Sequence, residues 1–161
     1  MRYAAYGTTL HPMVLLNAVE STRLLGVAEI IGWTLRFNHH GDDGSGKATL
    51  EPSAASVHVA VYEVSGEEIS VVDGLEGSGR RPMTVDLGPF GAGVVYISDR
   101  ISHRSLPYEW HRDWVVAGAR YHRFPNDYIA RIAAQPATQD HDHVRRSREE
   151  TRIANAARFG P

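Results

Sequence analysis

Apolar residues recur along this chain with two different periods. Up to residue 98 they run in short blocks or alternate with polar residues, and from about 107 they return every three or four positions. Residues 2–6 (RYAAY) form a short apolar run closed by Gly7, which predicts a buried first strand. Thr8 and Thr9 can cap a helix beginning just after them, and MVLLNAVE (13–20) has helical spacing. LLGVAEIIGWTLRF (24–37) is rich in β-branched and aromatic residues and predicts a strand, with bends or bulges at Gly26 and Gly32. SVHVAVYEV (56–64) alternates, with Val57, Val59, Val61 and Val64 facing inward. GEEISVVDGLEG (66–77) predicts a short helix or turn closed by glycines, its Val71, Val72 and Leu75 directed to the core. MTVDL (83–87) and GVVYIS (93–98) predict two further strands joined by the turn GPFGAG.

Helical spacing takes over in PYEWHRDWVVAGARYH (107–122) and PNDYIARIAAQ (125–135), each with a proline near its start. The polar tail from Pro136 places Arg145 four residues before Glu149 and Arg146 four before Glu150, the spacing of a solvated terminal helix or a frayed tail. The order is strand, helix, a β-rich middle, then helices. That predicts an α+β domain over residues 1–135, a small, mostly antiparallel β-barrel or sheet flanked by helices, with a polar segment at 136–161.

Composition narrows the function classes. The 161 residues suit one domain with a proper core, and 42% hydrophobic against 22% charged residues is ordinary for a soluble protein. A net charge of −2 makes no electrostatic case for nucleic acid or an anionic membrane. The absence of cysteine excludes disulfides, thiolate catalysis and Cys-ligated zinc. MRYAAYGTTLHP lacks the charged region and apolar core of a signal peptide, and no apolar run reaches the roughly 18–20 residues of a membrane span. A cytoplasmic protein is expected.

Three motifs invite specific chemistry. GDDGSGKAT (41–49) has Gly41, Gly46 and Lys47 at phosphate-loop spacing, but Ala48 stands where a magnesium-binding hydroxyl belongs and an alternating strand comes next instead of a helix. A Gly/Asp-rich hairpin loop is the better reading. His39-His40 beside Asp42-Asp43, and Asp140-His141-Asp142-His143, look like ligand clusters but lack the i,i+4 spacing that puts two imidazoles on one helix face. No metal or other cofactor is expected. There is no G-x-S-x-G elbow for nucleophilic hydrolysis.

Two other segments carry more. In YAAYGTTL (3–10) a buried strand breaks at Gly7 into a helix start, where free backbone N–H groups suit a carboxylate or carbonyl oxygen; a plain strand-to-helix turn is the simpler reading. In VVDGLEGSG (71–79), Glu76 sits among apolar neighbours. A carboxylate held there is partly desolvated, which raises its pKa and suits a general base and acid; a helix-terminal surface glutamate is the simpler reading.

Taken in order, these segments resemble the γ-glutamylcyclotransferase-like family. YGTTL (6–10) resembles its Tyr-Gly-Ser-Asn-Leu loop, and GSGKATLEP with VHVAVYEV resembles its hairpin and Val-Tyr strand. VDGLEG (72–77) resembles its Leu-Asp-x-x-Glu-Gly segment. VVYIS (94–98) with residues 107–132 resembles its closing strand and helical end. The resemblance spans roughly residues 3–132. It implies a reaction in which the α-amine of a γ-glutamyl group attacks its own γ-carbonyl, releasing 5-oxoproline and a free amine. By matching position, Glu76 is the implied acid/base. Tyr6, Gly7, Thr8, Thr9 and Leu10 are implied to hold the glutamyl head through backbone N–H groups, and Tyr96 to line the pocket. The implied partner is a small-molecule γ-glutamyl substrate. A non-catalytic small-molecule-binding or interaction module on the same fold is the alternative. The chain departs from the family at Thr8-Thr9, which replace Ser-Asn, and after Gly77, where SGRRPM replaces a frequent tyrosine. If Arg80 and Arg81 line the pocket mouth, they favour a bulky or acidic leaving half; if they face solvent, they only keep the loop soluble.

Overall fold

The two apolar periods sort the chain into a sheet and a helical cover. The strands are β1 (Arg2–Ala5), β2 (Arg23–His40), β3 (Gly46–Glu63), β4 (Arg80–Asp86) and β5 (Ala92–Ser98). The helices are α1 (Pro12–Leu15), α2 (Ile69–Glu76), α3 (Glu109–Tyr121), α4 (Asn126–Ala133) and α5 (His143–Ala156), with single 3-10 turns at Thr8–Leu10, Gly66–Glu68 and Gly88–Phe90. The computed structural model describes residues 1–158; residues 159–161, the end of the expected polar tail, lie outside the described residues. Among the described residues no helix is long and apolar enough to cross a membrane.

The fold is α+β with one five-stranded sheet in the order β2-β3-β1-β5-β4. It is mostly antiparallel: β2 pairs β3, β3 pairs β1 and β4 pairs β5 in that sense, while β1 and β5 meet in parallel at Tyr3 and Val94. The expected barrel does not close. The edge strands β2 and β4 do not pair with each other, and β4 spans 7 residues against 18 in β2. The chain beyond β5 curls back instead. The Arg100 carbonyl accepts from the His40 N–H (2.8 Å) and the Asn38 carbonyl accepts from the Ser102 N–H (2.8 Å), so a short bridge stands where a barrel seam would be.

The long β2–β3 hairpin shifts register between Leu24 and Gly26 and again between Ile31 and Trp33, at the two glycines expected to bend it. Its loop is the Gly/Asp-rich turn at 41–45, closed by Gly41 N–H to the Ser45 carbonyl (2.9 Å). Lys47 and Ala48 are already strand residues. Val57, Val59, Val61 and Val64 are buried as expected, but so are Ala60 and Tyr62, because β3 is covered on both faces.

The helices differ from expectation in detail. The one expected at 13–20 stops at Leu15, and its N-cap is His11, whose Nδ1 accepts from the Met13 N–H; Thr8 and Thr9 belong to the preceding turn. In α2 only Val72 is buried, while Val71 and Leu75 are exposed. The stretch expected as a solvated helix or frayed tail contains α5, which buries Glu149 and Ala156. Arg145 does not pair with Glu149. It forks onto Asp140 (2.6 and 2.7 Å), and Glu149 turns inward to accept from Trp114 Nε1 (3.0 Å). Burial decides this: Asp140 and Trp114 offer partners away from water, which an exposed i,i+4 pair cannot match.

Candidate active site

β1 ends at Ala5, and the chain turns at Gly7 into the Thr8–Leu10 turn. Within that turn the Leu10 and His11 N–H groups are taken up by the Gly7 and Thr8 carbonyls (3.1 and 3.3 Å). The turn itself leaves the Thr8 and Thr9 N–H groups free, as at any helix start. Helix α3 fixes the turn from behind, because Gly118 lets Leu10 and His11 come close enough that a Cβ there would lie 2.8 Å from Leu10 Cγ.

Glu76 is the last residue of α2, and Gly77, with φ of 82°, ends the helix there and lets the chain swing into β4. The carboxylate points inward and its side chain is 11% exposed. The Tyr3 hydroxyl donates to Glu76 Oε1 and in turn accepts from the Thr9 hydroxyl (2.6 Å). On the other side, Arg80 Nη1 lies 3.6 Å from Glu76 Oε2. Burial raises the Glu76 pKa, against the pull of Arg80 and the Tyr3 hydrogen bond. Burial also raises Tyr3 strongly and pushes Tyr6 up to about 12, so both phenols stay protonated.

The two arginines of SGRRPM separate. Arg80 is 7% exposed and donates to the Tyr6 hydroxyl (3.1 Å) and the Ala48 carbonyl (2.6 Å); Arg81 is on the opposite face, exposed and paired with Asp99. Adjacent strand residues face opposite sides, so this split results from β4 geometry.

Above these groups opens a cavity of about 360 Å³. Tyr6, Gly7, Thr8, Thr9 and Glu76 line it, together with Arg80. Leu10 and Tyr96 do not. Leu10 is buried under α3, its carbonyl accepting from Tyr62 and His122, and Tyr96 stands behind the site, its hydroxyl on Asp73 and its carbonyl accepting from Tyr6. Tyr3, to which the motifs give no role, is the residue that touches Glu76 directly.

The rest of the wall was not expected. His39 and His111 contribute imidazoles that burial holds neutral, His39 down at about 4 and His111 well below its ordinary value. His39 bonds Ser98 through Nδ1 (2.7 Å), and His111 Nε2 accepts from the Ala48 N–H (3.2 Å). Lys47 is tied to Asp43 (2.8 Å) and lies over Trp110. Asp42 and Ser78 lie at the cavity too, and Trp114, Glu149 and Arg152 bring α3 and α5 to it, so α5 faces the same cavity as Glu76. Among the described residues no group of three His, Asp or Glu side chains is arranged to hold a metal.

Comparison of the sequence with protein-family models and with curated proteins finds no match. Comparison of the fold does. The chain superposes on a γ-glutamyl cyclotransferase with a TM-score of 0.82 at 19% identity, covering 96% of this chain and 98% of that one. It superposes on an uncharacterized protein from Homo sapiens at 0.79 and 19% identity, covering 95% and 97%. YkqA from Bacillus subtilis superposes at 0.68 and 16% identity, covering 86% of this chain and 56% of that one. The chain has the fold of the γ-glutamylcyclotransferase-like family that its motifs resemble.

Proposed function

We propose that the chain is a γ-glutamyl cyclotransferase. The observation that supports this most directly is a desolvated carboxylate, Glu76, lining the cavity beside a turn with free N–H groups, whereas the cavity's other buried carboxylate, Glu149, is taken up by Trp114, Arg148 and Arg152. A γ-glutamyl group folded into that space brings its α-amine to Glu76 and its oxygens to the Thr8–Thr9 backbone. The neutral α-amine attacks the γ-carbonyl carbon and a C–N bond forms. Glu76 takes the proton the amine loses and passes it to the leaving nitrogen. The original C–N bond breaks, giving 5-oxoproline and a free amine. Ring closure is intramolecular, and well-oriented cases reach effective molarities of about 10⁵–10⁸ M. The proton shuttle contributes about 10²–10⁴-fold more.

A second reading is a binding module whose carboxylate is held by the Glu76–Arg80 pair and does no chemistry. One experiment separates the two: a set of γ-glutamyl peptides and amines screened for 5-oxoproline by mass spectrometry, with wild type and Glu76→Gln. The enzyme reading expects release by wild type and a loss of about 10²–10⁴-fold in the variant. Release that survives in Glu76→Gln above a tenth of the wild-type rate refutes Glu76 as the base. No release from any substrate, with binding retained, favours the module.

A further inference from the structure

Arg80 is placed unusually for a cation beside a base. Its Nη1 approaches Glu76 Oε2 to 3.6 Å, which is ion-pair range but too long for a hydrogen bond. What holds it back is visible. Nη1 donates to the Tyr6 hydroxyl (3.1 Å) and Nη2 to the Ala48 carbonyl (2.6 Å), while the Nε is buried with no partner among the described residues. An arginine free to choose would fork onto the carboxylate, as Arg145 does on Asp140. Here the fork goes to the walls. Leaving a buried donor unmade is unfavourable, so the contacts to Tyr6 and Ala48 are what hold the guanidinium in this position.

The consequence for the carboxylate is specific. Tyr3 donates to Oε1 and fixes it from one side. Arg80 supplies positive charge to Oε2 without consuming its lone pairs. The other groups around Glu76 supply no net charge in contact with it. Tyr3 beside it, Tyr6 beyond β1 and Tyr96 on β5 are phenols kept protonated by burial. Asp73, on the same helix, accepts from Tyr96. Across the cavity His39 on β2 and His111 on α3 are neutral, Asp42 in the hairpin loop is paired with Arg100, Lys47 on β3 with Asp43, and Arg152 on α5 with Glu149.

We propose that Arg80 is a positioning residue of this site: held off by Tyr6 and Ala48, its charge keeps the buried Glu76 carboxylate ionised while leaving Oε2 open to accept a proton. This rests on the cyclotransferase reading for its effect on rate, but not for its effect on Glu76. An opposite charge at this range lowers a carboxylate pKa by about 1–3 units. Removing it therefore moves the proton uptake of Glu76 to higher pH, and the acidic limb of kcat/KM moves with it.

The test has two arms. Glutamate labelled with carbon-13 at the side-chain carboxyl, with Glu76→Gln to assign the resonance, gives the Glu76 midpoint without any substrate. Arg80→Gln is expected to raise that midpoint by about 1–3 units, and Arg80→Lys, which keeps the charge, to return it toward wild type. The second arm measures 5-oxoproline release against pH; its acidic limb shifts by the same amount in Arg80→Gln. Arg80→Lys holds the limb at or below its wild-type position but loses kcat, because an untethered ammonium can bond Oε2 directly. If Arg80→Gln does not fold, Arg80→Met takes its place and is read in the same way. A folded neutral variant with an unmoved Glu76 midpoint overturns the proposal, as does a wild-type Glu76 that is still protonated at pH 7. If no γ-glutamyl substrate turns over while the midpoint shifts as expected, the cyclotransferase reading fails and the role of Arg80 stands.

Discussion

Gly74 and Gly118 both lie inside helices, and replacing each with alanine should move stability in opposite directions. In a helix interior, Gly→Ala gains about 0.5–1 kcal/mol by restricting the unfolded backbone. At Gly74 in α2 nothing stands within 4 Å of the added Cβ, so that gain is realised in full. At Gly118 in α3 the Cβ would lie 2.8 Å from Leu10 Cγ and 2.9 Å from His11 N. The second contact is backbone, so no rotamer change relieves it, and the Thr8–Leu10 turn has to move. Overpacking of this kind costs about 1–3 kcal/mol, which cancels or outweighs the helix gain and leaves a net loss of up to about 2.5 kcal/mol. For a chain of this size each kcal/mol shifts Tm by about 2–4 °C. Calorimetry should therefore show Gly118→Ala melting below wild type by up to about 10 °C and Gly74→Ala about 1–4 °C above it. Two variants shifted upward together would refute the close packing of α3 on the site turn.

Tyr3→Phe removes the hydroxyl that bridges Glu76 and Thr9. Hydrogen bonds to charged groups are worth about 1.5–3 kcal/mol, so kcat/KM for 5-oxoproline release should fall about ten- to a hundredfold, and the acidic limb should rise because that bond lowers the Glu76 pKa. An unchanged rate would remove Tyr3 from the site. Asp140 is held well below the usual carboxylate range, first by the Arg145 hydrogen bond. Its folded pKa is depressed, so its contribution to stability is present above the unfolded value of about 3.9 and lost as pH falls below it. Urea midpoints measured from pH 7 to pH 2 should fall more steeply in wild type than in Asp140→Asn; parallel curves would contradict the pairing.

Legibility in the sequence varies with how local the cause is. The bends at Gly26 and Gly32 and the hairpin loop at 41–45 are decided by residues within a few positions, and they appear where expected. Glu76 is readable from its segment. Tyr3 is not, because its ring belongs to an apolar strand and only its hydroxyl reaches the site. The arginines after Gly79 look alike as a pair, whereas strand alternation separates them and puts Arg80, but not Arg81, in the cavity. Glu149 looks like a partner for Arg145 because the residue that captures it, Trp114, lies 35 positions away. Tyr96 matches a motif, but its hydroxyl is drawn to Asp73 behind the site. Barrel closure depends on whether two edge strands meet, which no local pattern encodes.

The sheet order also has a consequence for the route by which the protein folds. β2–β3 and β4–β5 are hairpins whose strands are near neighbours in the chain, so each can zip locally. β1 lies between them in the sheet, yet it leaves the ribosome before either, and its antiparallel partner Tyr62 emerges long after Tyr3. Where the local hairpins form first, β1 has to wait, and its insertion joins the two halves into one sheet. Tyr3 and Tyr6 travel with it, so on that route the Glu76 carboxylate acquires the tyrosine that orients it only when β1 docks. On the cyclotransferase reading, recovery of 5-oxoproline release during refolding should report the joining of the halves, while backbone signals report the earlier hairpins.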